Sequence, residues 1–260
     1  MRILLKLRSL KDCSYDLKYF HKMQGFFYGL MEDTPYNALH DKPGYKFFCF
    51  SNLFPVGDPP QIIRKGEFRS LLFSSPDSAL IKLMAAKLAE MRERNQDVHI
   101  GEYQFAIEDL RTLTPQFHRD FRIAAATPII IRIPPSRYAE YNVPEGLRKH
   151  SYVFWRPEID FSAFVKQLEE NLFKKYAEFH KDEAAFPERF PVFEQWRFKK
   201  QSCVNIIEAG KERPEVGSVW EFSFTTLSAD QRKLLEFGLE CGFGERNPLG
   251  FGFVNIMKHQ

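Results

Sequence analysis

The stretch GFGERNPLGFGFVNI, residues 242–256, sets four glycines in the spacing GxGxxxxxGxG, with eight residues after Gly252. A dinucleotide-binding fingerprint needs GxGxxG between a strand and a helix inside a full βαβ unit, and eight residues leave no room for one. A Walker phosphate loop needs Lys and then Ser or Thr straight after its last glycine; here Gly250 is followed by Phe251. GFGFVNI also looks like the RNA-recognition signature K/R-G-F-G-F-V-x-F, but Leu249 stands at the basic position and Ile256 at the last aromatic one. That signature lies on the third of four strands, with a helix after it, whereas this strand must come last. Two readings are left. The glycines allow positive φ and close backbone approach, and so form either a structural turn before a terminal strand or a cradle for an RNA backbone.

The rest of the chain shows what such a terminal strand completes. MRILLKLR alternates charged and apolar residues like a half-buried strand, and residues 16–32 carry the helical stripe Phe20, Met23, Phe27, Leu30 and Met31. KFFCFSNLF and GEFRSLLFSSP read as two strands. Asp77 caps a helix reaching about Arg94, with Leu80, Ile81, Met84 and Leu88 on its apolar side, and HIGEYQFAIEDL adds a strand. The order repeats. TPIIIRIP reads as a short buried strand, and a helix over 160–180 has Asp160 as cap and Phe161, Phe164, Val165, Leu168, Leu172 and Phe173 on one face. QWRFKKQSCVNII and SVWEFSFTTL follow as strands. Ser228 with Gln231 forms a capping box for a helix to about Glu240, and GFVNIM closes the unit. The expected fold is α+β: two tandem ferredoxin-like (β-α-β-β-α-β) domains, residues 1–120 and 121–260, meeting near 115–127.

Composition narrows the function. Among 260 residues there are 27 phenylalanines, for which a Phe-rich core is the main explanation and base stacking a smaller one. The net charge is +3. That is compatible with a polyanion partner through local clusters such as Arg64, Lys65 and Arg69, or Arg197, Lys199 and Lys200. The four cysteines form no CxxC pair, so neither zinc nor a disulfide framework is indicated. No apolar run is long enough to span a bilayer and MRILLKLRSL is no signal peptide, so a cytoplasmic setting without membrane attachment is expected.

A helix, then GxGxxxxxGxG, then a terminal strand, after two ferredoxin-like units, resembles the CRISPR-associated repeat-processing endoribonucleases of the Cas-six kind, within the RAMP superfamily. The resemblance implies an enzyme that binds a CRISPR repeat transcript and cuts it once per repeat. Attack by the RNA's own 2′-hydroxyl on the adjacent phosphate would leave cyclic-phosphate and 5′-hydroxyl ends, with no metal or other cofactor. It also implies a Tyr, a His and a Lys in the first domain. QGFFYGLMEDTPYNALHDKPGYKFF offers Tyr28 on the first helix, His40 in the loop after it and Lys46 at the start of the next strand.

The chemistry of these three suits that reaction. Histidine carries protons near neutral pH, lysine sets a positive charge where the phosphorane gathers negative charge, and a tyrosine hydroxyl exchanges protons with a sugar oxygen. Tyr28 falls off the apolar stripe, beside Gln24, His21 and Glu32, which places it at an edge or exposed. His21 is the rival for the histidine role.

For RNA contact, QWRFKKQ interleaves basic and aromatic residues. On a regular strand Trp196, Phe198 and Lys200 face one way and Arg197 and Lys199 the other. A core face with a wet charged face explains this pattern as well as RNA binding does. The glycine loop, as Gly242, Gly244, Arg246, Asn247, Gly250 and Gly252, is the other expected contact. The main alternative function is a non-catalytic RNA-binding RAMP protein, either an inactive paralogue or a structural subunit of a CRISPR effector complex. The sequence leaves monomer and homodimer both open, together with the effector complex that would receive the product.

Overall fold

The computed structural model describes residues 1–15, 20–56, 61–117, 119–182, 184–208 and 211–257. In chain order the elements are β1 (Arg2–Ser9), β2 (Cys13–Tyr15), α1 (Phe20–Met31), β3 (Cys49–Phe50), β4 (Gln61–Ile63), β5 (Phe68–Ser74), α2 (Ser78–Glu93), β6 (Val98–Ile100), β7 (Tyr103–Leu113) and β8 (Phe121–Ala125). They continue with β9 (Arg132–Ile133), β10 (Val153–Phe154), α3 (Phe161–His180), β11 (Gln195–Glu208), β12 (Lys211–Phe224), α4 (Ala229–Cys241) and β13 (Val254–Met257).

Two antiparallel sheets form the frame. The first runs β3-β5-β1-β7-β6 and the second β11-β12-β8-β13. With the short β6 set aside, both place the first strand of the unit between the third and fourth and the second at an edge, the ferredoxin-like arrangement. Each sheet buries its own aromatic and aliphatic core, one around Phe27, Phe50, Phe73 and Phe105, the other around Phe164, Trp220 and Phe222. The expected caps are present. Asp77 accepts from the amides of Ala79 and Leu80, Asp160 from that of Ser162, and Ser228 and Gln231 close a reciprocal box.

Four expectations change. KFFCFSNLF yields only the two-residue β3, and HIGEYQFAIEDL is a hairpin turning at Gly101, whose φ is 60°. The second sheet begins on β8, within the stretch read as a junction. TPIIIRIP instead makes single bridges from Ile129 to Ser218 and Ile130 to Glu245 before β9. β8 carries two fully enclosed anchors, Phe121 and Ile123, in five residues, too brief an alternation to stand out. The helix expected from residue 16 is described from Phe20, and 16–19 lie outside the described residues.

The fourth change concerns β11. Its pairing passes from Phe198↔Trp220 to Lys200↔Val219, so Lys199 is an extra, bulged residue. Trp220 and Phe222 point into the core, so their neighbours Val219 and Glu221 lie on the outer face. The bulge therefore turns Lys200 onto that outer face with Arg197 and Lys199, not alongside Trp196 and Phe198 as regular alternation predicts. Lys199 pairs there with Glu221 at 3.1 Å.

The two sheets are tied together by a buried arginine. Arg2 on β1 donates to the carbonyls of Leu239 (2.7 Å) and Val254 (2.6 Å) and to Asn255 Oδ1 (2.6 Å), with its guanidinium 4.6 Å from the Phe253 ring centre.

Candidate active site

The connection from α1 to β3 gathers Tyr28, His40 and Lys46. A 3-10 turn at Asn37–Leu39 brings the chain back over the end of α1, so that the His40 and Tyr28 rings meet edge to face, 4.9 Å between centres. Lys46 Nζ lies 5.4 Å from the centre of the Tyr28 ring and donates to the His40 carbonyl at 2.6 Å. His40 Nδ1 sits 2.7 Å from Asp41 Oδ1, and the imidazole is two-thirds exposed.

Tyr28 is not where the helical stripe put it. It is 8% exposed and belongs to the first core, because the folded-back connection covers a helix face that spacing alone leaves open. Its hydroxyl is enclosed, with Gln24 one turn away as the polar neighbour and no well-formed hydrogen bond. Burial pushes its pKa up to about 12, so the ring stays neutral and supports its two partners. Partial burial lowers the Lys46 pKa, against the raising influence of Asp41.

The glycine loop is packed inward. Gly242, Gly244, Gly250 and Gly252 all have positive φ and are buried. A Cβ at Gly252 would run into the Phe243 carbonyl, and one at Gly244 into that of Ile130. The loop closes on Lys175, a fully enclosed lysine of α3, which donates to the carbonyls of Gly242 (2.9 Å) and Gly244 (2.5 Å) and to Asn247 Oδ1 (2.6 Å). Asn247 in turn donates to the carbonyls of Phe243 and Phe251. Burial lowers the Lys175 pKa. Arg246, in the left-handed conformation, lies 3.6 Å from Glu215.

These two regions face each other. His40, Lys46, Arg246 and Asn247 line one cleft of about 770 Å³, whose lining also includes Tyr45, Arg132, Lys175, Glu245 and the hairpin residues Ile206 and Ile207. Arg197, Lys199 and Lys200 do not line it; they are exposed on the outer face of the second sheet. Sequence reasoning missed Lys175, Tyr45 and Arg132. Lys175 had a signal, since it sits three residues after Leu172 and beside Tyr176, a lysine inside an apolar stripe. Tyr45 and Arg132 had none, because only the fold brings them together.

Comparison with known proteins places this site in context. Residues 113–256 match the family model described as CRISPR associated protein Cas6, C-terminal. The CRISPR-associated endoribonuclease Cas6 2 of Methanocaldococcus jannaschii is 30% identical over 269 residues, covering 99% of this chain and all of that protein. The CRISPR-associated endoribonuclease Cas6 of Haloferax mediterranei is also 30% identical, over 99% of this chain and 94% of its own length. Among solved structures, one titled CRISPR associated protein Cas6 superposes with a TM-score of 0.71 at 21% identity, covering 99% of both chains. Another, titled an RAMP protein binding different RNA substrates, gives 0.68 at 20% identity over 99% of this chain and all of that one.

Proposed function

The chain belongs to the Cas6 family of CRISPR-associated proteins, and from that premise we propose that it is an endoribonuclease that binds CRISPR repeat RNA and cuts the precursor transcript once within each repeat. The observation that carries the reading is the convergence of His40 and Lys46 on the Tyr28 ring, at the wall of a cleft open to solvent. A pure RNA binder has no chemical need for that set.

The reaction follows from the residues. The 2′-oxygen of the RNA attacks the adjacent phosphorus and passes its proton to His40, whose Nδ1 is held by Asp41 and whose Nε2 is left for substrate. Lys46 balances the charge that gathers on the phosphorane. Its lowered pKa suits it to protonate the departing 5′-oxygen as the phosphorus–oxygen bond breaks, leaving a 2′,3′-cyclic phosphate and a 5′-hydroxyl. Tyr28 is a positioning residue, with its ring seating both partners and its own hydroxyl enclosed. The phosphate backbone leads to the cleft past Arg246, while the outer-face group Arg197, Lys199 and Lys200 holds a more distant part of the repeat. We read the two sheets as two domains, residues 1–120 and 121–260, with the RNA between them.

The test is cleavage of a labelled repeat RNA from the protein's own genome in excess chelator, beside His40→Ala and a substrate with a 2′-deoxy scissile nucleotide. A single cut that survives chelation and disappears with either change is the expected result. Tight binding without any cut would favour a non-catalytic RNA-binding protein instead.

A further inference from the structure

Next to the cleft lies a smaller recess of about 320 Å³, lined among others by Tyr45, Arg132, Tyr152, Asn171, Lys174 and Glu245. It shares Tyr45, Arg132 and Glu245 with the cleft, so the two are continuous, and Tyr45 immediately precedes Lys46. We propose that this recess is a subsite for one unpaired nucleobase of the RNA, on a nucleotide beside the phosphate that is cut. The inference rests on the reading of the cleft as an RNA site.

Charge decides that a base rather than a phosphate enters. The charges that line the recess balance: Arg132 is paired with Glu245 through its amide and guanidinium, and Lys174 lies 3.7 Å from Glu170, which also accepts from Arg137 at 3.0 Å. The two cations lining the recess are offset by its two carboxylates, so a phosphate would enter with no net positive charge to compensate its lost hydration. A neutral ring faces no such penalty. The recess is also aromatic. Tyr152 is half-buried with the Arg132 guanidinium 4.9 Å from its ring centre, and Tyr45 has Lys175 at 5.7 Å. Cations held against aromatic rings suit them to stack on an electron-rich base.

The polar lining adds edge recognition. Asn171 donates to the Tyr45 hydroxyl at 3.3 Å, which fixes that ring across the recess, and Gln167 and Ser151 border it. The volume lies at the lower end of the range for small-ligand pockets, roughly 300–1,000 Å³, which suits one base and not a helical stem. RNA readers that work on unpaired segments splay single bases onto aromatic side chains in this way.

Tyr152 tests the idea without touching His40, Lys46 or Tyr28. Binding is measured on a repeat RNA made uncleavable by a 2′-deoxy scissile nucleotide, with the base removed in turn from each nucleotide flanking the cut. Tyr152→Ala is expected to weaken binding of the intact RNA by about 5- to 150-fold, and Tyr152→Phe to restore most of it. One abasic RNA is expected to show the same loss, with no further loss when combined with Tyr152→Ala. Additive losses at every position, or wild-type binding by Tyr152→Ala with an unchanged melting temperature, would overturn the subsite. Because the readout is binding, a protein that fails to cut but shows the coupling refutes the nuclease reading alone, and one that cuts but shows no coupling refutes the subsite alone.

Discussion

The two halves of the molecule share a strand order but use their loops in opposite ways. In the first half the α1–β3 connection is long and its His40 is two-thirds exposed to solvent. In the second half the α4–β13 connection, which joins that unit's second helix to its last strand, is the glycine loop, and its polar groups turn inward onto Lys175. One scaffold therefore carries a connection whose side chains are available for chemistry and another whose backbone is committed to packing. Lysine makes the contrast plain. Lys46 keeps part of its surface in water, while Lys175 has exchanged all of its water for three oxygen acceptors.

That contrast can be broken from either side. The largest effect should come from His40→Ala, which we expect to lower the cleavage rate by about 10²- to 10⁴-fold. Its melting temperature should stay that of the parent, since an exposed side chain contributes little to folding; a large fall would make the first connection structural too. Lys175→Met should do the reverse. It leaves three buried acceptors without their donor and should cost about 3 kcal/mol of stability, a fall in Tm of roughly 6–12 °C by calorimetry. An unchanged Tm would show that the glycines hold the loop by themselves.

Smaller effects sharpen the picture. Arg197→Ala combined with Lys199→Ala should weaken RNA binding at every sequence and reduce the slope of log affinity against log salt by about 2, or less where the Glu221 pair already neutralises Lys199. The smallest is spectroscopic. The Tyr28 pKa stands at about 12 in the folded chain and near 10 when unfolded. The unfolded chain therefore loses this proton first, and Tyr28 makes stability fall as pH rises from 10 towards 12. At pH 11, tyrosinate absorbance of the folded protein should be nearly the same in Tyr28→Phe as in the parent. A deficit of a whole tyrosinate would mean that Tyr28 is open to water.

Much of this architecture was written locally. Asp77, Asp160 and the Ser228–Gln231 box each act within four residues, so they and their helices are legible in order. The glycine spacing likewise marks a tight loop before a last strand. What escaped depends on contacts distant in sequence or on a register error. β8 has two anchors only, and its place between β12 and β13 is set by partners about 100 or more residues later. Lys200 changes face because one residue is inserted in β11, which period-two counting cannot see. Tyr28 is buried by residues 36–48, not by its own helix. The positions of His40 and Lys46 beside it were expected from family resemblance, and their spacing across the Tyr28 ring came only with the fold.

The grip of Arg2 on Leu239, Val254 and Asn255 has a consequence for how the molecule comes apart. A guanidinium taken from the opening strand of one sheet completes the hydrogen bonding of the closing strand of the other. Neither sheet then reaches its final energy alone, and loosening one exposes a charge the other had enclosed. Heat should dismantle the two as a single cooperative event, with amide protons on β1 and β13 exchanging at the same slow rate.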